Sequence, residues 1–273
     1  MLQYSSPTFL FREICPEQLP AIMKELAKAG FDGLELYGMF GYNSNDIISM
    51  CNATNMKVVC DHIRYKAFSE NTSEVIRSRK ALGIKYLTID QIPAELLPGQ
   101  PGFEIAVHEV NRIGKECKAN GIQLLYHNHG YDLTHKVNGT PILDIILDRF
   151  DPELLKFQPD LGWLQLGGAD AAHYLEKYKD RCPVIHLKDY FSTAPIRMES
   201  PFVLGSKRGG PDYNHFEFRP SGYGVMNFPK LMPQILNCKP EWLTTDHDLS
   251  YERNTYTDMK MSLRYIKDLI ALY

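Results

Sequence analysis

No two of the six cysteines form a C-x-x-C pair; Cys15, Cys51, Cys60, Cys117, Cys182 and Cys238 are scattered along 273 residues. A chain of this length stabilises itself without staples, so a disulfide scaffold is excluded and the thiols are expected reduced and buried. An excess of positive charge is lacking as well. The 30 basic residues are spread out and outnumbered by 33 acidic ones, for a net charge of −3. Nothing here would neutralise a run of phosphates, and nucleic acid is not an expected partner. No apolar run approaches the roughly 18 residues of a membrane span, and MLQYSSPTFLFREICPEQ has no basic segment ahead of an apolar one. The chain therefore reads as neither secreted nor membrane-bound, with the cytoplasm as the expected compartment. A G-x-G-x-x-G after an early strand is also missing, which counts against an open dinucleotide-binding sheet.

What is present is alternation. Short β-rich runs occur at Gln3–Phe11, Gly33–Tyr37, Lys57–His62, Lys85–Asp90, Gln123–His127, Lys156–Asp160, Val184–Leu187 and Trp242–Asp246. Most are followed by a segment of helical period. In the first such segment Leu19, Ile22, Met23, Leu26 and Ala27 share one face and Lys24, Glu25 and Lys28 the other. The last repeats this with Met259, Leu263, Ile266 and Ile270 against Lys260, Arg264 and Lys267. The tails Ala29-Gly30-Phe31, Leu82-Gly83-Ile84 and Asn120-Gly121-Ile122 each place a helix-ending glycine before an apolar strand starter. Eight βα units, and a length near the ~250 residues of a (β/α)8 barrel, predict a single-domain TIM barrel over residues 1–273. Regularity breaks once, between Tyr190 and Asn227, where prolines and glycines preclude long elements. A loop of this length after the seventh strand is expected to cover the barrel mouth or a subunit contact near it. Its Arg197, Lys207, Arg208 and Arg219 would face an anionic or polyhydroxyl substrate.

Polar residues crowd the ends of the last four strands. Tyr126-His127-Asn128-His129 and Asp132 follow strand five, Asp160 ends strand six, His186, Lys188 and Asp189 belong to strand seven, and Asp246-His247-Asp248 close strand eight. Carboxylates and imidazoles at one mouth suit a borderline divalent ion, with Mn²⁺ ahead of Co²⁺, Zn²⁺ or Mg²⁺. The proposed ligands are Asp132, Asp160, His186 and Asp246. Duller roles stand beside this: a strand-end aspartate is often a turn or helix-cap residue, and a strand histidine is often hydrogen-bonded core.

The stretches Leu124–His129, Phe157–Trp163, Ile185–Tyr190 and Glu241–Asp248 resemble the sugar phosphate isomerase/epimerase family of xylose isomerase-like barrels, related to inosose dehydratase and ketose 3-epimerases. The resemblance implies an ion held by a glutamate near strand five, an aspartate at strand six, a histidine at strand seven and a glutamate at strand eight. Asp160 and His186 match. Asp246 stands where the family has glutamate, His127 takes the usual strand-five glutamate position, and Asp132 occupies the place of a later glutamate in the Tyr-His-Asn-His branch. Each shortened carboxylate alters the ligand reach by about one methylene.

The chemistry implied is removal of a proton next to a carbonyl, with His127 and either Asp132 or Asp246 as the proton-transfer pair, since imidazole titrates near neutrality. His62, Asp90 or Gln91, Asn128, His129, Trp163 and Lys188 are the candidates for substrate contact. Glu35 is assigned a structural part, and Lys188 either an oxyanion or its neighbour Asp189. The leading function is isomerase or epimerase of a keto-sugar or sugar derivative. A lyase or dehydratase acting on an inosose or a 3-keto-glycoside shares the first step and would admit a second subunit; a homo-oligomer is also compatible. A non-catalytic sugar-binding barrel is the alternative of another class, and an endonuclease of the same superfamily is disfavoured for want of further ligands and a basic groove.

Overall fold

The computed structural model describes residues 2–193 and 216–273. Eight parallel strands alternate with helices: strand one Gln3–Pro7, two Gly33–Leu36, three Lys57–His62, four Tyr86–Ile89, five Gln123–His127, six Leu155–Gln158, seven Val184–Ser192 and eight Trp242–Asp246. They curl into a sheet of order seven, eight, one, two, three, four, five, six. The two ends meet at one place. Asp160 and His186 form an isolated parallel bridge, and the His186 N–H donates to the Pro159 carbonyl at 2.9 Å. The seam of the barrel thus runs through two residues singled out for chemistry.

The expected strand one was too long, because Pro7 has no N–H for a ladder and the chain turns into a 3-10 segment at Thr8–Phe11. Strand seven is longer than the Val184–Leu187 its sequence predicts. It runs on to Ser192 because Phe216–Arg219 pairs antiparallel with Asp189–Ser192. Arg197, Lys207 and Arg208 lie outside the described residues. Arg219 pairs with Glu217 at 2.9 Å.

Alternation along each strand divides two packing layers. Leu34, Leu124 and Tyr126, and Ile185 and Leu187 point outward into the shell shared with the helices. Cys60, Tyr86, Leu125, Val184 and Trp242 fill the lower barrel interior. Gly33 is required here. A Cβ on it would lie 2.9 Å from the Trp242 ring and 2.8 Å from the Lys57 carbonyl. The outer helices Cys15–Ala29 and Thr255–Ile270 bury the apolar faces read from their period, including Leu19, Ile22, Met23, Leu26, Met259, Leu263 and Ile266. Five of the six thiols are buried and Cys51 is half-buried. Among the described residues no helix is long and apolar enough to cross a membrane.

Candidate active site

Two residues above the apolar interior layer, the same alternation turns polar groups inward. Cys60 is followed by His62, Leu125 by His127, Val184 by His186 and then Lys188, and Trp242 by Thr244 and then Asp246. Of these, His62, His127, His186 and Asp246 join Glu35 around a small cavity at the C-terminal ends of the strands, about 50 Å³, completed by Pro7, Phe9, Leu36, Tyr37, Asp90, His129 and Asp248; Lys188 and Thr244 pair with the wall residues Asp246 and Glu35. That space holds an ion with a few waters, or the reacting end of a small molecule.

Glu35 of strand two is the hub of one side. Its Oε2 lies 2.9 Å from His186 Nε2, 3.1 Å from His62 Nε2 and 3.2 Å from the Gln158 amide, while Thr244 donates a short hydrogen bond to Oε1. Burial alone would raise its pKa; the charge and hydrogen bonds of His186 and His62 outweigh that and hold the carboxyl well below its usual range. His186 shows the converse. Burial opposes its charge, but Glu35 on one side and Asp246 Oδ2 at 3.2 Å on the other raise its pKa to about 10. It is an imidazolium clamped between two carboxylates. Glu35 therefore belongs to the site and not to the frame alone. The signal lay in the sequence: one charge between Leu34 and Leu36, on the inward phase of a buried strand.

Lys188 is the hub of the other side. Its fully buried ammonium lies 2.5 Å from Asp246 Oδ2, 2.9 Å from Asp248 Oδ1 and 3.1 Å from Asp160 Oδ2. Asp189, offered as its partner, faces elsewhere: it accepts the N–H groups of Tyr190, Gly222, Gly224 and Met226 at 2.8–3.0 Å and pins the chain after strand seven. Burial raises the Asp160 pKa to about 7, with Lys188 opposing and Asp246 adding to the rise. Asp248 reaches Lys188 from a left-handed backbone, φ 49°, and was not singled out as a partner in the sequence.

His127 sits between the two hubs. Its ring centre is 4.6 Å from that of His186 and 5.2 Å from that of His62, and its Nε2 is 3.9 Å from Asp160 Oδ2. Burial first, then electrostatic interaction with His186, His129, His62 and Lys188, pushes its pKa well below the imidazole range. The expectation that it titrates near neutrality is corrected accordingly: it is neutral, with a lone pair available, across the physiological range. His129 lines the cavity, and burial lowers its pKa too.

The remaining expected residues lie off the cavity wall. Asp132 is buried, accepting Tyr126 Oη at 3.0 Å and the His129 N–H at 2.7 Å. This is the turn geometry weighed against a ligand role. Asn128 clasps the backbone of Asp160, taking its N–H at 2.9 Å, and so ties strand five to strand six. Trp163 is buried, its ring 5.7 Å from Lys188 Nζ. Gln91 flanks a groove beside Asp90 with Arg64 and Lys66.

A divalent ion has two donor sets here. Glu35, His62 and His186 form one, and His127, Asp160 and His186 the other, with the ligand atoms of each within 4.8 Å of one another. Imidazole and carboxylate donors in this mix suit Mn²⁺, Co²⁺ or Zn²⁺, so the residues present fit an ion. Both sets use His186; only the second includes Asp160, whose Oδ2 already faces Lys188.

Comparison with known proteins agrees with this architecture. The xylose isomerase-like TIM barrel family matches residues 23–259. The chain belongs to that family. A curated inosose dehydratase of Bacillus cereus (strain AH820) is 24% identical over 238 residues, covering 79% of this chain and 76% of the relative. A sugar phosphate isomerase/epimerase from Parabacteroides distasonis ATCC 8503 superposes with a TM-score of 0.75 at 20% identity, over 97% of this chain and 93% of the other. A D-tagatose 3-epimerase-like protein gives 0.68 at 15% identity, over 99% and 97%. At these identities the structural likenesses establish the fold. The curated relative of this xylose isomerase-like barrel is thus named as an inosose dehydratase, and the two structural neighbours as a sugar phosphate isomerase/epimerase and a D-tagatose 3-epimerase-like protein.

Proposed function

We propose that the strand-end cavity is a catalytic centre that removes a proton from the carbon beside a carbonyl, in a keto-sugar or cyclic polyol ketone, to give an enediolate. The observation that carries this reading is the facing pair at its centre. A neutral imidazole, His127, stands 4.6 Å ring to ring from a cationic one, His186. The first has a lone pair to accept a proton; the second, with Lys188 behind it, supplies a fixed positive field where oxyanion charge develops. Tyr37, His62, Asp90 and His129 line the walls where substrate hydroxyls would bind. An ion bound at Glu35, His62 and His186 would require His186 to give up its proton; the ion would then take the place of that positive charge in polarising the carbonyl and leave His127 free as base.

Isomerisation or epimerisation returns the proton, to a neighbouring atom or to the opposite face, and needs a donor placed for it. A second reading, elimination of a β-hydroxyl or a glycosidic oxygen, is supported by Asp132. Its carboxylate is taken up by Tyr126 and the His129 amide, so a carboxylate pair with one member on each face of the substrate is incomplete. The test is incubation with keto-sugars, inososes and 3-keto-glycosides in deuterated water. Deuterium appearing in recovered substrate or its epimer supports isomerase chemistry, and release of water or aglycone supports elimination. No exchange and no product across the panel would end the enolisation reading.

A further inference from the structure

We propose that Lys188 is a built-in cation that excludes a divalent ion from the Asp160 side of the cavity. The ammonium is within 3.1 Å of one oxygen from each of Asp160, Asp246 and Asp248. Three carboxylates from two strand ends converging on one point is what a divalent cation would take, and the point is occupied by Nζ. The lysine is fixed there. Its side chain is fully buried, the Trp163 and Phe218 rings stand 5.7 Å from Nζ, and Gly162 abuts its backbone so closely that a Cβ would lie 2.8 Å from the Lys188 carbonyl. An ion entering this side must displace a buried ammonium from its partners, and a buried ion pair is costly to break because the remaining charge is left without compensation. Asp132, turned toward Tyr126, leaves the ion one carboxylate fewer on the strand-five side.

The inference rests on reading the cavity as the site but not on its reaction, and it is tested by ion binding with no substrate present. A negative result would leave the enolisation reading standing. The probe is Mn²⁺, followed by calorimetry and by electron paramagnetic resonance of the free ion, on wild type, Lys188→Met, Asp160→Asn and the double variant. Asp160→Asn keeps the Oδ1 that caps the following helix at the Trp163 N–H, 2.9 Å away, so it removes charge and not the cap. Lys188→Met is expected to gain at least about tenfold in Mn²⁺ affinity, since three carboxylates are then uncompensated, and to lose the gain when Asp160→Asn is added. Wild type binding an Asp160-dependent ion as tightly as Lys188→Met, or more tightly, would overturn the proposal. If Lys188→Met folds only when Mn²⁺ is supplied, the ion has replaced the lysine and the proposal stands. If it fails to fold at all, wild type and Asp160→Asn decide: an Asp160-dependent site in the micromolar range overturns the proposal, and one no tighter than about millimolar sustains it.

Discussion

Glu35 and His186, 151 residues apart, meet at 2.9 Å across the barrel interior and tie strand two to strand seven. His186 also forms the bridge to Asp160, so one histidine both closes the sheet and ties strand seven to strand two. Removing one partner of a buried, hydrogen-bonded charge pair leaves the other uncompensated. Glu35→Ala is therefore expected to destabilise by about 3–5 kcal/mol, and Glu35→Gln by less because it keeps an acceptor. Urea unfolding of the three proteins measures this. A loss under about 1 kcal/mol for Glu35→Ala would mean the pair is not a structural tie.

The same pair predicts an alkaline limit. His186 has a folded pKa raised to about 10 from an ordinary 6.5. A raised imidazole contributes its full stability below the unfolded value and loses it as pH climbs through the folded one. Wild type should lose stability between pH 6.5 and about 10, and His186→Gln should show a flatter profile over that window. Parallel profiles for the two proteins would contradict the assignment of charge to His186.

Gly162 supplies a prediction about packing. Its missing Cβ leaves room for the backbone of strand seven, with the Lys188 carbonyl at 2.8 Å and Lys188 Cβ at 2.9 Å from where it would stand. Gly162→Ala forces backbone against backbone and is expected to cost about 1–3 kcal/mol, as overpacking typically does. A melting temperature unchanged from wild type would show that the seam is looser than these contacts imply.

The barrel was legible because its signals are local. Gly30 ends a helix one residue before Phe31 leads into strand two, and Leu19, Ile22, Met23 and Leu26 mark an inward face by period alone. Strand seven overran its expected end because its extension is paired with Phe216–Arg219, a contact no local pattern announces. The site was legible as a set of residue types at strand ends, and Asp160, His186, His127 and Asp246 do converge. Partners were not legible, because they depend on distances across the barrel. Lys188 has an acidic neighbour in sequence, Asp189, yet pairs with carboxylates 28, 58 and 60 positions away. Glu35 looked structural because it lies far from the polar strand ends in sequence, although its inward phase was readable.

His127 is the residue on which the proposed chemistry turns, and its burial sharpens what its removal would do. An imidazole whose pKa lies well below neutrality is unprotonated at every pH where the protein works, so activity should show no acid limb near pH 6.5 from this group. The low pKa also makes it a weaker base, which the field of His186 and Lys188 offsets by stabilising the enediolate it produces. His127→Asn retains a polar group of smaller reach and removes the ring lone pair. If His127 takes the proton, deuterium exchange into substrate should fall by about 10²- to 10⁴-fold with substrate affinity little changed. If it only orients substrate, KM should rise while exchange at saturation stays near wild type. The second outcome would pass the base role to another wall residue, with Asp90 the first to examine, since burial raises its pKa and it faces the same cavity.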